Sequence, residues 1–203
     1  MHSLREMVTH LVLVTLGVLI ALSFEGIGTW REHRALVREA RANILSEIRD
    51  NQRELANRLN NVETEQKELD SILEALQTIV DRKKLNVSHV GTNMTTAELR
   101  DASHSTAQVT GAFALMEYDE VKKYAAVYSR QAMYQRLHDD TFQNLSRALG
   151  FVAIFAAPEK ASMREMEDLR TQVRITQAAL LVEQQIGQAL LHEYERVLNG
   201  KEP

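Results

Sequence analysis

The feature that most constrains the fold is a long stretch, from Thr29 to Val90, that contains neither proline nor glycine. Apolar residues recur along it every seven residues, in two rows that lie three or four positions apart. A seven-residue repeat sustained for about five heptads predicts a coiled-coil or long bundle helix. The seam that we predict consists of Leu45, Ile48, Gln52, Leu55, Leu59, Val62, Gln66, Leu69, Leu73 and Leu76.

Two polar residues, Gln52 and Gln66, interrupt this seam. Polar side chains at core positions of a coiled coil fix the alignment of its helices at a cost in stability. Alternatively, both glutamines lie at the edge of a looser bundle and contact water. The sequence also leaves open whether the seam pairs two copies of the chain or is covered by the chain's own later helices.

A second constraint is the run from Met7 to Phe24, which contains no Asp, Glu, Lys or Arg. A helix that crosses a bilayer needs roughly 20 apolar residues. Trp30 follows where an interfacial aromatic residue is expected, and two arginines come soon after it. We therefore predict a transmembrane helix over 7–30, with Glu25, Trp30, Arg31 and Arg34 at the membrane interface.

Two alternatives to a transmembrane helix remain open. Ala21 and Ser23 are small enough for a signal-peptide cleavage site, although the preceding segment carries Arg5 as its only positive side chain. The run is also compatible with a buried core helix, although small soluble domains rarely need a helix that is hydrophobic all round. Because arginines are concentrated after the run, the positive-inside rule weakly favours a cytoplasmic body, whereas signal-anchor insertion would make the body periplasmic.

Gly17 and Ala21 lie four residues apart in the same run. Small residues at this spacing let membrane helices approach closely, so both are possible helix-packing residues. His10 is the ionisable side chain of the run, and its place near the N-terminal boundary lets it reach toward water.

The sequence after residue 30 also predicts helices. We expect an all-α fold in which the long helix of 31–84 follows an N-terminal tail of 1–6 and the predicted membrane helix. A loop rich in Ser, Thr and Asn covers 85–95, and the helical region 96–200 completes the bundle. With two or three further helices in that region, an elongated antiparallel bundle is the expected arrangement.

Several short signals predict where these helices begin and end. Capping boxes of Thr95 with Glu98 and of Ser162 with Glu165 predict two helix starts. The remaining signals are a turn at Gly111, a helix start at Asp119 and Glu120, a stop at Pro158 and a C-terminal cap at Asn199 and Gly200.

The second most apolar run, LGFVAIFAAP from Leu149 to Pro158, is too short to span a bilayer. Its simplest interpretation is a buried helix end. A helix over 30–84 would be roughly 80 Å long, and a chain that returned along it would bring this run back to the membrane. Phe151, Ile154 and Phe155 would then form a membrane-returning tip.

The residues give little sign of catalytic or metal chemistry. The chain has no cysteine, and none of its seven histidines belongs to an HxxxH or HExxH pair. Asp101 with His104, and His138 with Asp139 and Asp140, are small polar clusters for which a surface position is the default. A net charge of −4 gives no basic field for nucleic acid. We expect no enzyme, no cofactor, no metal and no nucleic-acid partner.

The segments LGVLIALSFEGIGTWREHR and EARANILSEIRDN, with VTGAFALMEYDEVKKYAAVYSRQ further on, resemble a family of uncharacterised bacterial single-pass membrane proteins. Members have an aliphatic span with a central glycine, a Trp beyond it and a charged helix with recurring Glu, Leu and Asn. The resemblance implies a bacterial inner-membrane protein with an α-helical body, and it carries no established activity or catalytic residues. The matching positions are Gly17, Ala21, Trp30, Glu39, Leu45, Glu47 and Asn51.

Two functional hypotheses follow from these features. The first is a non-enzymatic, membrane-anchored helical scaffold or accessory subunit, whose partners are the lipid bilayer and either another protein or a second copy of the chain. The alternative is a transmembrane signalling or regulatory subunit whose helical rod transmits a conformational change. Leucine at positions 52 and 66 would separate them, because a scaffold should gain stability and keep its function whereas a switch should lock.

Overall fold

The computed structural model describes residues 4–81, 95–151 and 153–200, and near the N-terminus it describes the side chains of residues 8, 10–19 and 28 onward. All regular structure in these residues is helical, which confirms the all-α prediction. The helices are α1 (Leu4–Val80), α2 (Ala102–Val109), α3 (Tyr118–Leu149), α4 (Ala153–Ala156) and α5 (Met163–Leu198), with short 3-10 turns at Ala112–Leu115 and Pro158–Lys160.

The chain forms two compact units. The first comprises Met1–Ile44 and Ala102–Val121, and the second comprises Leu45–Asp101 and Lys122–Pro203. The predicted loop of 85–95 lies outside the described residues except for its last position, Thr95.

The second unit is a helical bundle, as predicted. Each of its three long helical segments buries residues that alternate three and four positions apart, so each buries a single stripe. In α1 the stripe is Ile48, Asn51, Leu55, Arg58, Val62, Glu65, Leu69, Ile72 and Leu76. In α3 it is Tyr124, Val127, Gln131, Tyr134, His138, Thr141, Leu145 and Ala148, and in α5 it is Met166, Leu169, Val173, Thr176, Leu180, Glu183, Gly187, Leu190 and Tyr194.

Hydrogen bonds on the surface of this unit show how α5 lies along the later part of α1. The Gln177 amide donates to Asp70 at 2.8 Å, and the Arg170 guanidinium donates to Gln77 at 3.3 Å. Because residue numbers rise in one helix as they fall in the other, α5 runs antiparallel to this part of α1.

The predicted seam is correct in one row and wrong in the other. Ile48, Leu55, Val62, Leu69 and Leu76 are all fully buried, as predicted. The second predicted row, Leu45, Gln52, Leu59, Gln66 and Leu73, is only half-buried. The buried second row lies one residue earlier, at Asn51, Arg58, Glu65 and Ile72. Apolarity misidentified the row because three of its four members are polar or charged.

Several helix boundaries were predicted correctly. Ser162 and Glu165 form a reciprocal capping box at the start of α5, and Asn199 caps its end before Gly200 at a φ of 63°. Gly111 has a φ of 76°, which fits the predicted turn. Asp119 and Glu120 occupy the first turn of α3.

Two other boundaries were wrong. The predicted capping box at Thr95 is not formed, because residues 95–101 are not helical and Thr95 instead donates its backbone N–H and its hydroxyl to Glu65. The helix that was predicted to stop at Pro158 ends at Leu149, where the following Gly150 donates to Ser146 and Arg147.

The run after α3 turns into the bundle. Ile154 is buried in the core cluster, and Phe151 and Phe155 pack against it beside residues such as Leu69 and Met166. This packing corresponds to the buried helix end, and it replaces the membrane-returning tip as the position of these three residues.

In the first unit, the N-terminal part of α1 exposes its aliphatic side chains. Among the described residues no helix combines the length and apolarity that a membrane crossing requires. Among the described residues, and apart from its own helix backbone, no atom comes within 4 Å of where a Gly17 side chain would begin. The side chains of Ala21 and Glu25 lie outside the described residues. The predicted helix-packing role of Gly17 and Ala21 therefore stays a prediction.

Candidate functional site: two buried polar layers

The first polar layer of the bundle is built around Asn51, and we call it the Asn51 layer. The Asn51 amide donates to the carbonyl of Arg100 at 2.7 Å and to Gln131 Oε1 at 3.1 Å, and its oxygen accepts the Arg100 N–H at 2.8 Å. Gln131 also donates to the Arg100 carbonyl. The two side chains thus satisfy the backbone N–H and carbonyl of Arg100, in the non-helical segment 95–101, as a neighbouring strand would.

Two tyrosines complete the Asn51 layer. Tyr194 donates to Gln131 Oε1 at 2.7 Å, and Tyr128 donates to Glu47 Oε1 at the same distance. Burial raises the pKa of both phenols, and the negative charge of Glu47 raises it further. Both tyrosines therefore remain protonated donors at neutral pH.

The second polar layer is built around Arg58, and we call it the Arg58 layer. The Arg58 Nη1 donates to Glu65 Oε1 at 3.1 Å, and its Nε lies 3.1 Å from Glu183 Oε1. All three side chains are almost completely inaccessible to solvent. Burial removes the water that would otherwise solvate these charges. Each charged side chain therefore depends on its ion-pair partner for stabilisation.

His138 and Tyr134 hold the other side of Glu183. Its Oε1 lies 2.9 Å from His138 Nδ1 and accepts the Tyr134 hydroxyl at 3.1 Å. His138 Nε2 accepts the backbone N–H of Ala97 at 3.3 Å. Because Nε2 accepts a hydrogen bond, it carries no proton, and the geometry assigns the neutral tautomer. The proton is then on Nδ1, which donates to Glu183.

The two carboxylates of the Arg58 layer differ in their electrostatics. Burial raises the pKa of Glu65, and its contacts with Arg58 and Thr95 offset only part of that rise. Burial also opposes ionisation of Glu183, but the hydrogen bond with His138 and the charge of Arg58 hold its pKa below the ordinary value. The layer thus favours one firmly ionised carboxylate beside the guanidinium and a second that protonates more readily.

The Arg58 layer is incompletely satisfied. Among the residues that the structure describes, Arg58 Nη2, Glu65 Oε2 and Glu183 Oε2 have no aligned hydrogen-bond partner. Glu65 Oε2 lies 3.0 Å from Arg58 Nη1, and the Arg58 Nε lies close to Glu183, both without such alignment. Each buried polar atom left in this state costs roughly 1–3 kcal/mol. The layer therefore lowers the stability of the bundle relative to an apolar core of the same shape.

Within the described ranges, no three His, Asp or Glu side chains are placed to hold a metal ion. His138 points into the bundle, whereas Asp139 and Asp140 are exposed, so this predicted cluster is divided between core and surface. His104 packs against Phe113, with ring centroids 5.1 Å apart.

The predicted interface residues form a small cationic group on α1. The Arg34 guanidinium lies over the Trp30 ring, 4.7 Å from its centroid, and both residues are exposed, as is Arg31. Further along the helix, Arg41 makes two hydrogen bonds with Glu120, at 2.6 and 2.8 Å.

The polar core residues were not identified from the sequence, although a signal was present. Asn51, Arg58 and Glu65 recur at seven-residue intervals, in a row that Ile44 and Ile72 continue at either end. Asn51 and Glu47 were noted only as matches to a resembling family. Glu183 is the corresponding charge in α5, at the interval of seven from Thr176 and Leu190.

These layers define the class of protein: an all-α chain whose second unit is a heptad-patterned bundle with polar residues at core positions. Comparisons with protein-family models, with curated proteins and with solved structures gave no match. The resemblance to single-pass membrane proteins therefore stays a prediction.

Proposed function

We propose that the protein is a membrane-anchored helical scaffold or accessory subunit that acts through protein contacts. The observation that carries the anchor is the exposure of aliphatic residues at the start of α1. Val8, Leu11, Val12, Leu13, Val14, Leu16, Val18 and Leu19 each expose between 52% and 70% of their surface. Four consecutive residues, 11–14, cover every face of a helix, so this segment has no buried side of its own.

The surrounding sequence supports lipid as the medium that covers this segment. The uncharged run continues to Phe24, beyond the last described aliphatic side chain at Leu19, and Trp30 and Arg31 follow it. Large exposed apolar surface marks a site of contact with membrane or protein. A single-pass inner-membrane anchor satisfies both features, and the arginines after it favour a cytoplasmic body.

Alkaline extraction of bacterial membranes tests the anchor. The full-length protein is expected to stay in the membrane pellet after carbonate treatment. Replacing Leu13 and Leu16 by Arg should release it, because each arginine at the centre of a span costs roughly 2.5–3.5 kcal/mol. The matched control is Ile175→Arg with Val182→Arg, two similarly exposed positions on α5. Release of the wild-type protein by carbonate would overturn the anchor.

Protein contacts are supported by apolar side chains on the bundle surface. Met133 and Phe142 on α3, and Ile175, Leu181 and Val182 on α5, each expose 46–50% of their surface. The test is the mass of the intact assembly after purification in mild detergent. A homo-oligomer or a stoichiometric second protein supports the scaffold, and a monomer with no bound protein argues against it.

The alternative is a signalling or regulatory subunit, and one observation favours it. The Arg58 layer contains buried charged atoms without aligned partners, and such a layer reduces the free-energy gap between alternative packings. If the bundle switches, replacing the layer by apolar residues should lock one state and abolish a partner-dependent response. A scaffold should become more stable and bind its partner as before.

A further inference from the structure

A cationic helical face follows the exposed aliphatic segment in the first unit. Trp30, Arg34, Arg38 and Arg41 are spaced by four, four and three residues, so they lie on one side of α1. Together with His33 and Val37 they form one wall of an open groove.

The opposite wall of this groove is mainly apolar. It is formed by Leu115 and Met116, which end the 3-10 turn and precede α3, and by the exposed carboxylate of Glu117. The groove thus places guanidinium groups opposite aliphatic side chains. This combination suits an amphipathic ligand with a negative head and an apolar body.

Three arginines of this region are available for an external anion. Arg41 is engaged by Glu120 through two hydrogen bonds. Arg31, Arg34 and Arg38 have no carboxylate within ion-pair distance among the residues that the structure describes. Arg34 packs its guanidinium plane on Trp30, which leaves the N–H groups at its edge free to bind phosphate oxygens.

The position of these arginines along α1 matches a lipid headgroup. The predicted span ends at Trp30, and at 1.5 Å per residue Arg31, Arg34 and Arg38 lie about 1.5, 6 and 12 Å beyond it. The polar interface of a bilayer is roughly 5–8 Å thick on each side. Arg31 and Arg34 therefore lie within this interface, and Arg38 lies a few ångströms outside it.

We propose that this groove binds the phosphate of an anionic phospholipid, with Arg34 and Arg38 of its wall and the neighbouring Arg31 facing the headgroup, and with Leu115 and Met116 facing its glycerol and upper acyl chain. The inference rests on the proposed membrane anchor and adds a preference for lipid charge. Glu117 opposes the headgroup and limits the strength of binding.

Trp30 makes a direct test possible because it is the single tryptophan of the chain. The full-length protein is reconstituted in vesicles of zwitterionic phosphatidylcholine that contain the same small fraction of either brominated phosphatidylglycerol or brominated phosphatidylcholine. Bromine quenches tryptophan fluorescence only at short range. Quenching by the brominated anionic lipid is expected to exceed that by the zwitterionic one, because each arginine enriches anionic lipid by roughly fivefold.

Charge variants identify the groove as the cause. The excess quenching should disappear in R31Q/R34Q/R38Q and increase in Glu117→Gln. A control variant, R49Q/R136Q/R174Q, removes the same charge from exposed positions of the second unit and should keep the excess. Retention of the excess in the first variant would overturn the proposed groove.

The outcomes also separate this inference from the anchor on which it rests. Equal quenching by the two brominated lipids overturns the charge preference and leaves the anchor intact. No quenching by either lipid contradicts the anchor itself, because Trp30 would then lie away from any bilayer.

Discussion

The Nε of Arg58 lies 3.1 Å from Oε1 of Glu183, inside the bundle and out of contact with solvent. Arg58→Met should lower the free energy of unfolding by about 3–5 kcal/mol, because it leaves two buried carboxylates without their cation. Urea denaturation followed by circular dichroism measures the change.

A compensated variant provides the control for this loss. In R58M/E65Q/E183Q the layer carries no charge, while the glutamine oxygens still accept from Thr95 and His138. Most of the lost stability should return, since a neutral core of similar volume often matches a buried ion pair. If the triple variant were less stable than Arg58→Met, the charges could not be the source of the effect.

The two carboxylates predict opposite responses to pH. The lowered pKa of Glu183 means that its stabilising contribution is complete above its ordinary value of 4.5 and is lost as the pH falls further. The raised pKa of Glu65 means that its contribution is complete below 4.5 and is lost as the pH rises through its higher folded value.

Denaturation profiles of single variants can separate these windows. Glu183→Gln should flatten the loss of stability below pH 4.5, and Glu65→Gln should flatten the loss of stability above that pH. Identical slopes for the wild type and both variants across the whole range would show that neither group is linked to folding.

Substitution of Asn51 is expected to destabilise the bundle far more than substitution of its sequence neighbour Gln52. Asn51→Leu removes three hydrogen bonds to Arg100 and Gln131, so a loss of about 2–3 kcal/mol is expected. Gln52→Leu, at a half-buried position, should be nearly neutral. Hydrogen exchange at the Arg100 amide should accelerate in the first variant only. Equal effects at the two positions would contradict the corrected seam.

Gly187 allows a close approach between α5 and its neighbours. A methyl group there would lie 2.8 Å from Leu59 Cδ2 and 3.0 Å from Tyr134 Cε2. Gly187→Ala should therefore destabilise the bundle by about 1–2 kcal/mol despite the better helix propensity of alanine. Gly28→Ala is the control, because open space surrounds that position.

Relief of the clash can be tested by a double-mutant cycle with Leu59→Ala. The two substitutions together should cost less than the sum of their separate costs, because the shortened side chain makes room for the methyl group. Strict additivity would mean that Leu59 and Gly187 do not press on each other.

The sequence predicted the helices more reliably than the polar contacts between them. Periodicity identified the Ile48 row because those residues are both apolar and buried, and Ser162 with Glu165 encoded a local capping box. These features depend on neighbours in the chain.

The Asn51 and Arg58 layers depend on partners that are far apart in sequence. A pattern of apolar residues cannot show that Arg58 is buried, because its ion-pair partner, Glu183, belongs to another helix. The sequence did not predict the non-helical segment 95–101 for the same reason, since Thr95 bonds to Glu65 instead of capping a local helix.

The distance in sequence between Arg58 and Glu183 also has a consequence for synthesis. Arg58 and Glu65 are translated well before α5. The growing chain therefore carries their charges at core positions before the ion pair between Arg58 and Glu183 can form. The ribosome must release Glu183 before the Arg58 layer can be completed. Assembly of the bundle is thus deferred until α5 has been synthesised and has left the ribosome.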